Sequence, residues 1–327
     1  MARRFQIILN PNAAGGRGRR VQSDLEVSLA TEGVDHTLQV TRHPGHARTL
    51  IEEWSGPEER RVLVVGGDGT LHEVANGILF SGQTGVELAI LPVGTGNDFH
   101  RMVRGSGELP QALDALLHGT SRLFEVGRAR WEGGEEYFVN LMGVGLDVAV
   151  LQRRHRFCRL PGLFQYLAAL GSAMVGFRQI PLRLTVDLAD GDQATYSGRT
   201  LLSAITVGPS VGGGFLLSPD ARPDDGTLDL FMAQEMGLGG VLRHLPRVIR
   251  GNHAGSHELT MERIIGARLE PMDQSPLYFE LDGELMPEAV SYLEIEVIPA
   301  ALRILEAASP SIQARPDGTG PGNKDGA

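Results

Sequence analysis

Lysine is almost missing from this chain: of its 30 basic residues, only Lys324 is a lysine. A Walker-type nucleotide loop and a protein-kinase core each set a lysine against the phosphates, so neither can underlie a phosphotransferase here. Any phosphate must be met by backbone N–H groups, arginine or a metal ion. Cysteine is as scarce. The lone Cys158 excludes an internal disulfide framework and a thiolate zinc site, and reads as a bystander. Positive charge is in deficit, and a formal net charge of -10 argues against general nucleic-acid binding. No apolar run reaches transmembrane length, and Phe5-Gln6-Ile7-Ile8-Leu9 is too short for a signal peptide. The expectation is a cytoplasmic protein. No internal repeat is present.

The 327 residues suffice for two domains with real cores, and a hydrophobic share of 42% is that of a globular chain. From residue 5 to about 120, short apolar runs alternate with amphipathic stretches, the pattern of a parallel sheet covered by helices. Strands are expected at Phe5–Leu9, His36–Thr41, Arg61–Val65 and Glu87–Leu91, each followed by a Gly-bearing turn. In a doubly wound sheet such turns gather at the carboxyl edge of the strands, where these folds bind ligands. Beyond about residue 121, Leu182–Leu188, Thr195–Val207, Thr227–Met232 and Ser291–Ile298 read as an antiparallel sandwich, interrupted by helices near Phe164–Gly176 and Leu238–Ile249. The fold class is an α/β N-terminal nucleotide-binding domain with a parallel sheet over 1–125, completed by 300–308, followed by a β-sandwich C-terminal domain over 126–299. The stretch 309–327 has almost no large apolar group and is expected to be disordered.

The third turn carries the most information. Leu63-Val64-Val65 runs into Gly66-Gly67-Asp68-Gly69-Thr70 and then opens a helix through Leu71-His72-Glu73. Glycines let the backbone approach an anion, and the N–H groups of a helix N-terminus point toward it. Asp68 would repel a phosphate unless a cation intervenes, so it suggests Mg²⁺, or a proton acceptor for a hydroxyl nucleophile. The plain alternative is a tight strand-to-helix connection with no ligand. Late in the chain, Leu281-Asp282-Gly283-Glu284 sets two acids about a glycine at a strand end, which is either a site or a hairpin turn.

Taken in order, Asn10-Pro11 with Gly15-Gly16, the Gly66–Thr70 run, Gly94-Thr95-Gly96-Asn97-Asp98-Phe99 and the Leu281–Glu284 run resemble the motifs of the diacylglycerol kinase catalytic-domain family, bacterial lipid kinases related to sphingosine kinases. The resemblance spans roughly residues 4–306. It implies transfer of the ATP γ-phosphate to a lipid hydroxyl, with diacylglycerol-like and sphingoid acceptors both open. It implies that ATP lies against Asn10, Pro11, Asn12, Ala13, Ala14, Thr41, Gly66, Gly67, Asp68, Gly69, Thr70, Leu71, His72, Glu73, Thr95 and Asn97, with Asp68 near the phosphates and Mg²⁺. Glu284 takes the role of the proton acceptor, and Asp282 assists it or holds metal. A second, structural Mg²⁺ would sit in the acidic turn Ser218–Asp229, on Asp225 and the backbones of Arg222 and Thr227. A solvated Pro-Asp-Gly turn is the competing reading there. Glu125 departs from the aspartate usual in the family, which puts its carboxylate's link to that metal in doubt. A homodimer is implied by analogy alone.

The lipid must also be reached. Arg153-Arg154-His155-Arg156 and Arg159 precede the apolar Leu163, Phe164, Leu167, Leu170 and Met174, the order expected of a segment in peripheral contact with an anionic membrane. Arg17, Arg19 and Arg20 would add to it; a core helix with a basic end is the alternative. His43 with His46 and His253 with His257 have ligand-like spacing, but Ala254 stands where a zinc-protease helix needs glutamate. Two rival functions stay in view. An NAD kinase or phosphofructokinase would share the Gly-Gly-Asp-Gly run but leaves Gly94–Phe99 unexplained, and a non-catalytic nucleotide or lipid sensor would tolerate loss of Asp68 or Glu284, both of which are present.

Overall fold

The computed structural model describes residues 5–55, 60–104, 107–157, 160 and 162–307. Cys158, Arg159, the side chain of Leu163 and the stretch 309–327 lie outside them. The first half alternates as its sequence demands: β1 (Phe5–Leu9), α1 (Ala13–Thr31), β2 (His36–Val40), α2 (His46–Glu52), β3 (Arg60–Gly66), α3 (Asp68–Phe80), β4 (Val86–Pro92) and α4 (Leu109–His118). The four strands pair in parallel in the order β2-β1-β3-β4. Runs such as Val62–Val65 are buried on both faces because helices cover the sheet from either side.

The second half is antiparallel. It contains β5 (Thr120–Trp131), β6 (Gly134–Phe138), β7 (Leu141–Gly145), α5 (Leu146–Arg154), α6 (Gly162–Met174), β8 (Ile180–Leu188), β9 (Gln193–Thr206) and β10 (Leu228–Gln234). Then come α7 (Leu238–Arg250), β11 (Leu259–Pro271), β12 (Phe279–Leu281), β13 (Glu284–Leu285) and β14 (Leu293–Glu306). Its strands enclose a core that includes Phe138, Met142, Leu184, Leu230, Leu269 and Phe279. A separate apolar cluster, with Val150, Leu170, Phe231 and Val248, joins α5, α6 and α7 to the outer side of β9 and β10.

The expected strand Ser291–Ile298 is only half of β14. That strand pairs with β11 at Leu293–Glu296, shifts register between Ile298 and Leu302, and then runs parallel to β4 at Arg303 and Ile304. Ala300 takes φ 53 in the shift. An irregularity of this kind bends a strand and redirects it, here from the sandwich into the parallel sheet. All 14 strands of the described residues thereby belong to one hydrogen-bonded system.

Candidate active site

The four Gly-bearing turns meet, as the alternation requires. Asn10 and Asn12 to Ala14, Thr41 to Gly45, Gly67, Gly69, Thr70, His72, Glu73 and Gly94 line one cleft of about 580 Å³, while Asp68 turns to a second one. Its walls are held by their own polar side chains. Asn10 Nδ2 donates to Thr70 Oγ1 at 3.0 Å, and Asn10 Oδ1 accepts the Asn12 N–H at 3.0 Å. Ala14, Gly15 and Gly16 have φ of 46, 68 and 94, so the first turn of α1 is unwound into the kind of backbone that can present N–H groups to an anion. Gly67 and Gly94 bring two turns together so tightly that a Cβ on Gly67 would stand 2.9 Å from Gly94 Cα.

Not every residue expected at the nucleotide faces it. Leu71 is buried in the core beneath α3, because one position in each helical turn must point away from the cleft. Gly66 lies under Thr70, where a Cβ would come within 2.5 Å of the hydroxyl. Asn97, at φ 52, turns its amide to Gly94 O at 3.0 Å and shapes the loop. Pro11 packs against Gly18, whose missing side chain lets α1 approach. Glu73 spends both oxygens on the N–H groups of Gly45 and Ala47, at 2.8 and 2.9 Å, and so ties down the start of α2. With no lysine among the described residues, the cations of this cleft are Arg42 and Arg48.

The late motif is both of the things its sequence allowed. Leu281 pairs with Glu284 across a two-residue turn in which Asp282 has φ 53 and Gly283 φ 87, the left-handed pair a tight hairpin needs. Asp282 is buried and saturated: it accepts the N–H groups of Val139, Asn140 and Leu141 at 2.9, 2.8 and 3.0 Å and pairs with His72 Nδ1 at 2.8 Å. A carboxylate so occupied has no lone pair left for a metal, and the alternative of Asp282 as a ligand is set aside. Burial disfavours the His72 imidazolium, but the hydrogen bond and charge of Asp282 outweigh it and raise its pKa. The hairpin presents Glu284 beside the Gly66–Thr70 turn, with Oε1 2.9 Å from where a Cβ on Gly69 would be. Burial raises the Glu284 pKa against the pull of His72, and Glu73 adds to the rise.

Glu284 also borders a second cleft, of about 210 Å³, shared with Asp68, Asp98, Asp147, Arg154 and Tyr166. Asp68 and Asp98 flank Gly96, where a Cβ would lie 3.0 and 3.3 Å from their carboxylates. Burial, then the charge of Asp98, pushes Asp68 up to about 6. Asp98 itself accepts the Gly213 N–H at 2.6 Å. Two crowded, buried acids at the mouth of this Gly-rich turn fit Mg²⁺ held by one or two carboxylates together with the oxygens of a bound anion. Beyond Asp147 and Tyr166 the cleft meets a mostly apolar pocket of about 90 Å³, bounded by Leu170, Phe231, Val241 and Leu245 among others.

The acidic turn is arranged differently from the expectation. Asp225 accepts the N–H and hydroxyl of Thr227 at 3.2 and 2.6 Å and forms an ion pair with Arg263, so a guanidinium stands where a cation was expected. The oxygen without a partner belongs to Glu125. Its Oε2 takes the Gly226 N–H at 2.6 Å while Oε1 is buried and unpaired, and burial, with Asp225 and Asp224 adding, drives its pKa to about 7. An orphaned acid next to a turn rich in carbonyl oxygens fits a hard cation, with Glu125 a more natural ligand than Asp225. Among the described residues no group of three or more His, Cys, Asp or Glu is preassembled for metal.

Asp98, Asp147, Glu280 and Tyr166 were not assigned from sequence. Asp147 carried a signal: Gly143-Val144-Gly145 followed by an acid in the first turn of α5 repeats the strand, glycine, acid, helix order of the Gly66–Asp68 run.

Residues 4–129 match the diacylglycerol kinase catalytic domain, and residues 140–306 match the YegS C-terminal NAD kinase beta sandwich-like domain. A diacylglycerol kinase of Mycobacterium tuberculosis is 28% identical over 300 residues, covering 91% of this chain and 93% of its own length. One of Staphylococcus carnosus is 27% identical over 286 residues, covering 87% and 89%. The crystal structure of a diacylglycerol kinase from Bacillus anthracis str. Sterne superposes with a TM-score of 0.69 at 20% identity, covering 94% of this chain and 98% of that one, and confirms the fold. The chain is of the lipid-kinase class. More narrowly, it belongs to the diacylglycerol kinase catalytic-domain family, joined to the YegS-type sandwich. Among the described residues no helix is long and apolar enough to cross a membrane.

Proposed function

We propose that the protein transfers the γ-phosphate of ATP to the hydroxyl of a lipid in a Mg²⁺-dependent reaction, with Glu284 as general base. The observation that carries this reading is the position of Glu284. It lies over Gly69 of the phosphate loop, where the polar cleft of the four turns meets a second cleft that leads to apolar walls. The hydroxyl proton passes to the Glu284 carboxylate as the lipid oxygen bonds to the γ-phosphorus. The bond from that phosphorus to the bridging oxygen breaks, and ADP leaves with the electron pair. A base whose pKa is raised by burial is better matched to an alcohol than an ordinary glutamate, and such help contributes about 10²- to 10⁴-fold.

Asp68, with Asp98 beside it, would hold the Mg²⁺ of the nucleotide, whose charge would offset that of the phosphates. Glu125, with backbone carbonyls of the adjoining turn, would hold a second ion that stiffens the turn, Asp225 staying with Arg263. Arg42 and Arg154 supply the cationic contacts that lysine provides in other kinases.

The test is transfer from γ-labelled ATP and Mg²⁺ to a panel of lipids in mixed micelles, by wild type, Glu284→Ala and Asp68→Ala. A labelled lipid that disappears in both variants supports the reading. Labelled NAD or sugar phosphate would favour the rival kinases, and tight ATP binding without turnover on any acceptor would favour a sensor.

A further inference from the structure

One buried histidine beside the nucleotide cleft has no part in the transfer steps above. His72 lies near the start of α3, two residues past Thr70, and lines that cleft with Glu136 and Glu284 although it is only 6% exposed. Its protonation can be read from its partners. Nδ1 stands 2.8 Å from Asp282 Oδ2, and a carboxylate that already takes three backbone N–H groups can only accept, so Nδ1 carries a hydrogen. On its other side Nε2 faces Asn76 Nδ2 at 3.4 Å and Glu136 Oε1 at 3.7 Å. The Tyr137 N–H donates to Asn76 Oδ1 and so fixes which end of that amide is oxygen. Both hydrogens of Asn76 Nδ2 go to closer acceptors, His72 O at 3.0 Å and Tyr137 O at 2.9 Å. Nε2 is left without a donor and beside a carboxylate, so it too carries a hydrogen and the ring is an imidazolium.

That cation joins the two halves of the molecule. Its own helix opens from the Gly66–Thr70 turn, whereas Asp282 and Glu284 belong to the β12–β13 hairpin and Glu136 to β6. The charged groups facing the ring are Asp282, Glu136 and Glu284, with Arg48 of α2 bound to Glu136 at 3.1 Å. Those facing Glu284 are His72, Glu73 of α3, Arg154 of α5 and Asp282. Burial works against a charged ring, but the bond and charge of Asp282, then the charges of Glu136 and Glu284, overcome it. Burial likewise raises the Glu284 pKa, and His72 is the stronger of the two cations that pull it back. We propose that His72 is a positioning residue for the transfer: held as an imidazolium by Asp282, it ties the nucleotide turn to the hairpin and keeps the Glu284 carboxyl in its basic form. The proposal rests on the reading of Glu284 as general base.

Asparagine sets its amide nitrogen where Nδ1 stands, so His72→Asn keeps a bond to Asp282 and removes the charge. The test follows kcat of the full chain against pH, with γ-labelled ATP, Mg²⁺ and 1,2-dioctanoylglycerol or sphingosine, whichever wild type labels. His72→Asn is expected to move the acidic limb upward by about 0.5–1 pH unit, so that the loss of rate at about pH 6 exceeds the loss at about pH 8.5 by about 3- to 10-fold. In a Glu284→Ala background the same substitution is expected to leave the residual pH profile where it was. Ring ¹⁵N shifts of His72 in labelled wild type give a reading that needs no variant at this position. They are expected to show an imidazolium at about pH 7, titrating at lower pH in Glu284→Ala because a neighbouring carboxylate is gone. An unmoved limb in His72→Asn, or a neutral ring at about pH 7, overturns the proposal while the turnover lost in Glu284→Ala still supports the base. Full turnover by Glu284→Ala, or no label on either lipid, overturns the base reading and the proposal together.

Discussion

Asp282→Ala and Glu284→Ala are expected to separate folding from chemistry, although the two acids are near neighbours on one hairpin. Removing Asp282 strands three buried N–H groups and the His72 ring, and its loss is expected to cost about 3–5 kcal/mol in urea unfolding. Glu284 keeps much of its surface in solvent at the cleft rim and only its carboxylate is crowded against the Gly69 turn, so its truncation should leave stability within about 0.5 kcal/mol of wild type while turnover falls about 10²- to 10⁴-fold. Equal destabilisation by both would contradict this division. Asp147 and Glu280 bring carboxyl oxygens together over Gly143, and the pair carries a pH dependence. Both acids have raised native pKa values, so the native state binds more protons than the unfolded chain once pH exceeds their ordinary range. Stability from this source is present at low pH and is lost as pH climbs through the native values. Glu280→Gln should therefore flatten the decline of unfolding free energy as pH rises above the ordinary carboxylate range, an unchanged slope being the contrary result. Residue type and spacing single out Asp68 in the sequence, whereas Glu284 stands out only through the family resemblance, since an Asp-Gly pair alone reads as a hairpin turn. Nothing made Glu280 visible, because an acid in an apolar strand gains its role only from the partner that folding brings.

At the scale of elements, the parallel strands and their turns were legible because buried β-strands and Gly-bearing strand ends leave a local pattern, as in Leu63–Thr70. The closeness of those turns was not. Gly67 and Gly94 are stacked backbone to backbone, so Gly67→Ala is expected to force the two loops apart, at about 1–3 kcal/mol and with ATP binding weakened at least about 10-fold in titration calorimetry. Gly171 is the control. It is exposed in the middle of α6 with nothing within 4 Å of an added Cβ, and Gly171→Ala should stabilise by about 0.5–1 kcal/mol. The basic run before α6 suggests a membrane-facing segment, but Arg154 lines the cleft shared with Asp68 and Glu284, while Arg156 is exposed. A helix end divides its side chains between two faces, and the split depends on the packing of α5 against β7 and α6, which a run of arginines does not encode.

At the scale of the molecule, exposed apolar side chains collect on the elements around the apolar pocket: Phe164 is 66% exposed, Val175 77% and Leu242 59%. With Arg156 nearby in sequence and three arginines on α7, this face is suited to an anionic bilayer. Phe164→Ser with Arg156→Glu is expected to reduce sedimentation with anionic vesicles while leaving turnover on a dispersed short-chain acceptor unchanged; undiminished sedimentation would remove the face from consideration. The two halves are also expected to be inseparable in stability. A fragment ending near residue 135 would leave β4 without β14 and Phe124 without Leu302 and Ile304, and should not give a cooperative melt. The crossing of β14 has a consequence for synthesis as well. The strand that closes the parallel sheet comes from residues made after the whole sandwich, so the nucleotide half, though first off the ribosome, is the last to be finished. Until residue 306 has emerged, the nascent chain holds an open sheet edge at β4, and a chain cut short in translation is left with a parallel sheet that nothing closes.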